Sequence, residues 1–144
     1  MKPALQVCDH QQAVVLEGIA GWLQGLGDTA IESAWGARTR DDAPLGGLEE
    51  LEVALVDDET IARVHGEFMD DPTPTDVITF DHGEILIGVE TGKRQAAEHG
   101  EPLRRELLRY LVHGLLHLAG HEDGEQTARV RMIAEQERIV GRLG

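Results

Sequence analysis

Hydrophobic and polar residues alternate along four short runs of the chain, a pattern typical of β-strands. The clearest run is Glu50–Val56, in which every second residue up to Leu55 is apolar. Leu5 and Val7 alternate with polar neighbours in the same way. Two more β-favouring runs, with a turn of Asp81-His82-Gly83 between them, predict a hairpin: Asp76–Phe80 and Glu84–Val89.

Apolar residues recur at helical spacing in the second half of the chain. Pro102 predicts the start of a helix and Gly120 its end, with leucines at helical spacing between them. Gln126–Leu143 predicts a last amphipathic helix, and a shorter helical stretch covers Gln95–His99. The leucines that mark the apolar period of the long helix are Leu103, Leu107, Leu111, Leu115 and Leu118.

Turn and capping residues predict the remaining elements. Asp57 or Asp58 can cap a helix that runs to about Met69. Asp9 and Gln12 resemble a capping box before a helix at Ala13–Leu26, which Gly27 would end, and the run from Trp35 to Gly47 is read as a loop.

Composition limits the classes of protein to consider. The chain has 144 residues, a net charge of −14 and 41% hydrophobic residues, which indicates a globular domain with an acidic surface. Such a surface repels polyanions on average, so a nucleic-acid substrate would have to be met locally. One cysteine, Cys8, excludes an intrachain disulfide. No secretory signal or membrane span is evident, so a cytoplasmic location is expected.

Three histidines lie close together in the segment HGLLHLAGHED. His113 and His117 are four residues apart, so one helix face can offer both imidazoles to one metal ion. Gly120 lets the chain leave the helix and return a third ligand, which is Asp123, with His121 as the rival. Two histidines and one carboxylate leave room for water, as in catalytic sites.

A metallopeptidase is not expected from this motif. Its general base would be a glutamate directly after the first histidine, where this chain has Gly114. A glycine here fits better as a small residue that lets another element pack close to the helix.

Beyond the metal motif, the sequence resembles the YbeY family of bacterial metal-dependent endoribonucleases. The segments that carry the likeness are LVDDETIARVHGEF, PTDVITF, Gly83-Glu84-Ile85, Gln95-Ala96 and Arg105-Glu106 before the histidine helix, in matching order from about Glu50 onward. The resemblance implies one α+β domain over residues 1–144. Its small mixed sheet of about four strands would be packed by about five helices, with a central metal-bearing helix.

The resemblance also implies a function. It indicates metal-dependent cleavage of single-stranded RNA in ribosomal RNA maturation and ribosome quality control. Zn²⁺ is the expected cofactor, at one per chain, although Ni²⁺ accepts similar donors. Ribosomal RNA and the ribosome are the expected partners. Thr75 and Asp76 are expected near the metal, and Arg105 as a phosphate contact.

Each of these residues also has a structural interpretation. Asp76 can cap a turn, and Arg105 can pair with Glu101 or Glu106 at the helix start. The basic cluster to which Arg105 belongs is an anion-binding surface or a solvated helix face; its members are Lys93, Arg94, Arg104, Arg105 and Arg109.

Three positions depart from the family pattern. Asp123 stands where the family has a third histidine, Met69 where it has an arginine, and His65 where it has an asparagine. Met69 and the charge of −14 favour an alternative, a non-catalytic zinc-containing accessory factor of the ribosome. A zinc hydrolase of small acyl or amide substrates is a third hypothesis, supported by the metal motif alone.

Overall fold

The computed structural model describes residues 2–144. Four strands and five α-helices follow one another along the chain, with a short 3₁₀ helix (Pro44–Gly47) before the second strand. The elements are β1 (Ala4–Asp9), α1 (Ile19–Gly36), β2 (Glu50–Val56), α2 (Asp58–Met69), β3 (Val77–Phe80), β4 (Glu84–Gly88), α3 (Val89–His99), α4 (Leu103–Leu118) and α5 (Gln126–Leu143).

The strands form one mixed sheet in the order β1-β2-β4-β3. β1 and β2 are parallel, as are β2 and β4, whereas β3 runs antiparallel to β4. The two antiparallel strands make the predicted hairpin, in which Ile78 lies opposite Leu86. β1 and β3 are therefore the two edges of the sheet.

Alternate residues of each strand point to opposite faces of the sheet, and both faces are partly covered. On one face Val53, Leu55 and Ile85 pack in the main core with residues of α1, α4 and α5. On the other face Ala54 and Leu86 pack in a smaller cluster with residues of α2. The outer face of β1 has no such cover in the described residues.

The helix α4 is the centre of the domain. Ten of its 16 residues are buried, and it contacts α1, α3, α5 and the sheet. Burial of so many apolar side chains orders this helix firmly, at roughly 1.5–3 kcal/mol per large side chain. The predicted α+β class, with its four-strand mixed sheet, five helices and central helix, is confirmed over residues 2–144.

The first helix differs from the prediction. It begins at Ile19 rather than near Ala13, and its N-cap is Gly18, which has a φ of 87°. Gly27 does not end it, because this glycine lies in its middle against Leu5 of β1, where a Cβ would come within 2.8 Å of Leu5 Cδ2. The glycine therefore allows close packing of helix on strand. None of the helices in the described residues has the length and hydrophobicity needed to cross a membrane.

Candidate metal centre

Two histidines and one aspartate converge at the C-terminal end of α4. The Nε2 atoms of His113 and His117 each lie 3.5 Å from Asp123 Oδ2, and the two rings are 4.8 Å apart between centroids. Their ligating atoms all lie within 4.8 Å of one another. The spacing predicted from helical periodicity thus brings the three donors together.

The end of α4 has the geometry that returns Asp123 to the histidines. Gly120 has a φ of 101°, the left-handed region that a glycine occupies without strain. The amide of Gly120 donates to His117 O and that of His121 to Leu116 O, the two bonds of a Schellman motif. The chain reverses there, so Asp123 faces the helix that it has just left.

Both histidines are oriented through their second ring nitrogen. Nδ1 of His113 lies 2.8 Å from Gln136 Oε1 on α5, and Nδ1 of His117 lies 3.1 Å from the His121 carbonyl. Each carbonyl oxygen accepts a hydrogen bond from Nδ1–H, so each Nε2 keeps its lone pair toward Asp123. Burial lowers the pKa of His117, as does the nearby His113, which favours the neutral imidazole that binds metals.

His121, the rival third ligand, points elsewhere. It is 2% exposed, and its Nε2 lies 2.7 Å from the carbonyl of Ala37, just beyond α1. A second bond joins the same segments, from Thr39 N to Ala119 O. His121 therefore ties the segment after α1 to the end of α4, and it stands apart from the three converging donors.

A cleft of about 560 Å³ opens over the three donors. Thr75 and Asp76 are among the residues that line it. Asp76 Oδ1 accepts hydrogen bonds from Val77 N at 2.8 Å and from the Thr75 hydroxyl at 3.3 Å. Asp76 therefore caps the start of β3 as well as facing the cleft.

Arg105 is not brought to the cleft. It lies eight residues before His113 on α4, a rise of about 12 Å along the helix axis. Its Nε lies 3.9 Å from Glu101 Oε1, and its Nη1 lies 3.4 Å from the C-terminal residue's carbonyl. These contacts match the ion-pair interpretation of Arg105.

Two cleft residues were missed from the sequence. Arg40 is the one Lys or Arg among the described residues that line the cleft, and its side chain packs over Gly120, where a Cβ would come within 3.3 Å of Arg40 Cγ. The buried hydroxyl of Thr79 also lines the cleft and has no hydrogen-bond partner in the described residues. The sequence offers one signal for Thr79 as a cleft residue, which is that a polar side chain stands on the α4-facing side of a strand.

The short side chain at position 114 is required by packing. A Cβ on Gly114 would approach Ile85 Cδ1 to 2.9 Å and Thr79 Oγ1 to 3.1 Å. The larger glutamate of a metallopeptidase has no room between α4 and the hairpin. This contact bears out the packing interpretation of the glycine.

Exposed aromatic rings lie beside the cleft. Phe68 is 65% exposed and meets Phe80 edge-to-face at 5.1 Å, and His82 stacks on Phe80 at 5.4 Å. Their chain neighbours Met69 and Asp81 line the cleft itself. Phe80 itself packs partly against the smaller cluster on the α2 face of the sheet, which leaves Phe68 as the exposed ring next to the cleft.

Comparison with known proteins agrees with this architecture. The family model described as endoribonuclease YbeY matches residues 24–144. The chain belongs to the YbeY family. A Synechococcus endoribonuclease YbeY is 31% identical over 90% of this chain and 84% of its own length. One from Heliobacterium modesticaldum is 36% identical over 67% of this chain and 72% of its own length.

Two further similarities describe the extent of the YbeY match. A Myxococcus xanthus endoribonuclease YbeY is 34% identical over 84% of this chain, which spans only 45% of that relative. A Thermotoga maritima protein with a solution structure superposes with a TM-score of 0.61, at 23% identity, over 96% of this chain and 88% of its own. This last likeness shows the shared fold.

Proposed function

We propose that this protein is a metal-dependent endoribonuclease that cleaves single-stranded RNA in the cytoplasm, in ribosomal RNA maturation and ribosome quality control. The observation that carries the proposal is the convergence of His113, His117 and Asp123 at the base of an open cleft in a YbeY-family chain. A single domain over residues 1–144 is part of the same proposal.

The donor set fits a zinc ion. Two imidazoles held by Nδ1 hydrogen bonds and one carboxylate are the ligands of a catalytic rather than a structural zinc site, and nickel accepts the same donors. The lowered pKa of His117 favours the neutral ring that such a site needs. When bound, the ion supplies Lewis acidity toward a phosphodiester oxygen or a water molecule.

The chain's own residues position the substrate around that centre. Arg40 offers a guanidinium to a phosphate, although it also forms an exposed ion pair with Asp42 at 3.7 Å. Thr79 also lines the cleft, with its hydroxyl buried toward Gly114 of α4. Thr75 and Asp76 form the wall beside it.

Two features support a single-stranded substrate. The exposed ring of Phe68, the chain neighbour of the cleft residue Met69, offers stacking surface to unpaired bases, whereas paired bases already stack on each other. The net charge of −14 opposes a broad grip on a duplex backbone. Arg40 supplies a local positive charge instead.

A second candidate function is a non-catalytic, zinc-containing accessory factor of the ribosome. Met69 favours it, because this methionine lines the cleft where the family resemblance expects a phosphate-binding arginine. The two functions differ in one measurable property, RNA cleavage by protein free of contaminating nuclease.

Metal content per chain is the first experiment. Untagged wild-type protein is compared with Asp123→Ala and His121→Ala by elemental mass spectrometry. We expect Asp123→Ala to hold one zinc per chain fewer than the wild type, and His121→Ala to hold as much as the wild type while it loses thermal stability with the bond to Ala37. A wild type that stays empty in the presence of zinc would remove both proposed functions.

RNA cleavage is the second experiment. Zinc-loaded protein is incubated with one RNA sequence as a single strand and as a duplex, with His117→Ala and the distant His99→Ala as matched variants. We expect cleavage of the single strand that His99→Ala preserves and His117→Ala abolishes. Full zinc occupancy without cleavage would favour the accessory factor.

A further inference from the structure

A second group of metal-binding side chains lies on the far edge of the sheet. Cys8 lies in β1 and His10 lies two residues later, just past the end of that strand. Residues two apart on an extended chain point to the same face. Glu52 of β2 points to that face as well, because Gln6 pairs with Glu52 and Cys8 with Ala54. One sulfur, one nitrogen and one oxygen donor therefore meet on a surface that α2 leaves open.

The donors are close enough for one ion. The ligating atoms of Cys8, His10 and Glu52 lie within 4.8 Å of one another, and His10 Nε2 is 4.0 Å from Glu52 Oε1. Tetrahedral zinc with bonds of about 2.0–2.3 Å holds its ligands about 3.4–3.7 Å apart. The side chains of His10 and Glu52 are 55% and 56% exposed, so small rotations close the gap.

The backbone beneath the donors is held in place. The amide of His10 donates to Leu55 O at 2.9 Å, which extends the β1–β2 pairing past the end of β1. On α1, Gln24 bonds both Val7 N and Leu5 O, so the edge of β1 is also fixed. The three side chains thus project from paired strands.

The surroundings favour a cation. Glu52 lies directly opposite Glu84 in the β2–β4 register, and like charges in that position repel each other. Neither carboxylate has a Lys or Arg within ion-pair distance in the described part of the chain; their neighbours are His10 and His82. A divalent ion on Glu52 reduces this repulsion.

We propose that Cys8, His10 and Glu52 bind a second transition-metal ion, with zinc as the reference, that fastens β1 to β2. The thiolate and imidazole select zinc over magnesium or calcium, which prefer oxygen ligands. Water completes the coordination. The ion stabilises the folded chain by mass action, because these strands are paired only in the folded state.

This site is separate from the histidine–aspartate centre. β1 and β3 are opposite edges of the sheet, three strand spacings or about 14 Å apart. Cys8 and His10 also precede residue 24, where the match to the YbeY family begins. The second ion is therefore a property of this chain and does not depend on RNA cleavage.

Cobalt titration of metal-free, full-length protein tests the proposal. Cys8 is the sole cysteine of the sequence, so a thiolate-to-cobalt charge-transfer band in the near ultraviolet reports this site alone. We expect two Co²⁺ per wild-type chain, one of which produces the band. His117→Ala, which impairs the other centre, keeps the band at full intensity.

The variants that retain Cys8 decide the outcome. His10→Ala and Glu52→Gln each remove one ligand, and we expect the band to need at least about tenfold more cobalt. Glu50→Gln is the matched control, because Glu50 shares the strand face of Glu52 but lies outside the cluster. Circular dichroism checks that each variant is folded.

Three results would overturn the second site. One is a wild type without a charge-transfer band at saturating cobalt. Another is a band in His10→Ala and Glu52→Gln that appears at the same cobalt concentration as in the wild type, since the thiol would then bind cobalt without the other two ligands. The last is a band that disappears on dilution at fixed free cobalt, because the ion would then bridge two chains.

Discussion

The two ends of α4 carry charged and polar side chains in opposite situations. Near its N-terminal end, Arg109 forms ion pairs with Glu101, Glu106 and Glu137, and its side chain is only 16% exposed. Near its C-terminal end, His113 and His117 turn their Nε2 atoms toward one carboxylate and an open cleft. We call the group around Arg109 the closed network. We call His113, His117 and Asp123 the open network.

The difference separates structural from functional polar groups. In the closed network each charge has its partner within the protein, so nothing is left for a ligand, and the hydrogen bond from Arg109 lowers the pKa of Glu137. In the open network three good metal donors face one another, with each histidine Nε2 3.5 Å from Asp123 Oδ2. Arg105 belongs to the closed end, where its guanidinium contacts Glu101 and the carbonyl of Gly144.

The largest effect is expected at the open end. His117→Ala removes a proposed metal ligand, and we expect RNA cleavage to fall about a thousandfold, because a catalytic metal supplies several kcal/mol of transition-state stabilisation. Single-turnover cleavage of a single-stranded RNA measures it. A variant that cleaves RNA at a rate within tenfold of wild type would show that cleavage does not depend on the open network.

The closed end predicts a loss of stability instead. Arg109→Met leaves Glu106 and Glu137 without their cation and Glu101 with only its longer contact to Arg105, and we expect the free energy of unfolding to fall by about 3 kcal/mol. Denaturant titration measures it, with the exposed Arg138→Met as the matched control, for which we expect a change below about 0.5 kcal/mol. Equal losses in both variants would contradict a structural role for the network.

The orientation of His113 gives the next prediction. Gln136→Leu removes the acceptor for Nδ1 of His113 without touching a proposed ligand, and we expect about tenfold weaker zinc affinity. Competition with a chelating dye measures it. Glu135→Gln, on the neighbouring position of α5, serves as control and keeps wild-type affinity if the hydrogen bond is the cause.

The two arginines sharpen the same comparison. Arg40→Gln removes the cation of the cleft, and we expect KM for RNA to rise about fivefold, the upper range for an exposed charge pair. Arg105→Gln, at the closed end, changes it less than about twofold. The reverse order, with a greater loss for Arg105→Gln at low salt than at high salt, would instead establish Arg105 as the phosphate contact.

The smallest effect concerns pH. Hydrogen bonds from Arg109 hold the pKa of Glu101 and Glu137 below the ordinary value of 4.5, so these carboxylates stabilise the fold at neutral pH. This contribution is lost as the pH falls below 4.5 and through the lowered pKa values. We expect the stability difference between wild type and Arg109→Met to shrink over that range in denaturant titrations, whereas a constant difference would contradict the assignment.

Much of the fold could be predicted because its signals are local. The alternation in β2 and the apolar period of α4 identify those elements, and Asp57 caps α2 by accepting a hydrogen bond from Thr60 N as expected. The first helix was predicted wrongly because Gly27 was read as a stop. Gly27 is required because a larger side chain would collide with Leu5, a residue more than twenty positions away in the sequence.

The sequence by itself determined the spacing of the candidate metal centre. His113, His117, Gly120 and Asp123 lie within eleven residues, and helix geometry with one left-handed glycine is enough to bring three donors together. Only the tertiary structure decided what surrounds them. Arg40, the hydroxyl of Thr79 and the acceptor Gln136 come from distant segments, and the packing of whole helices on the sheet sets such long-range contacts.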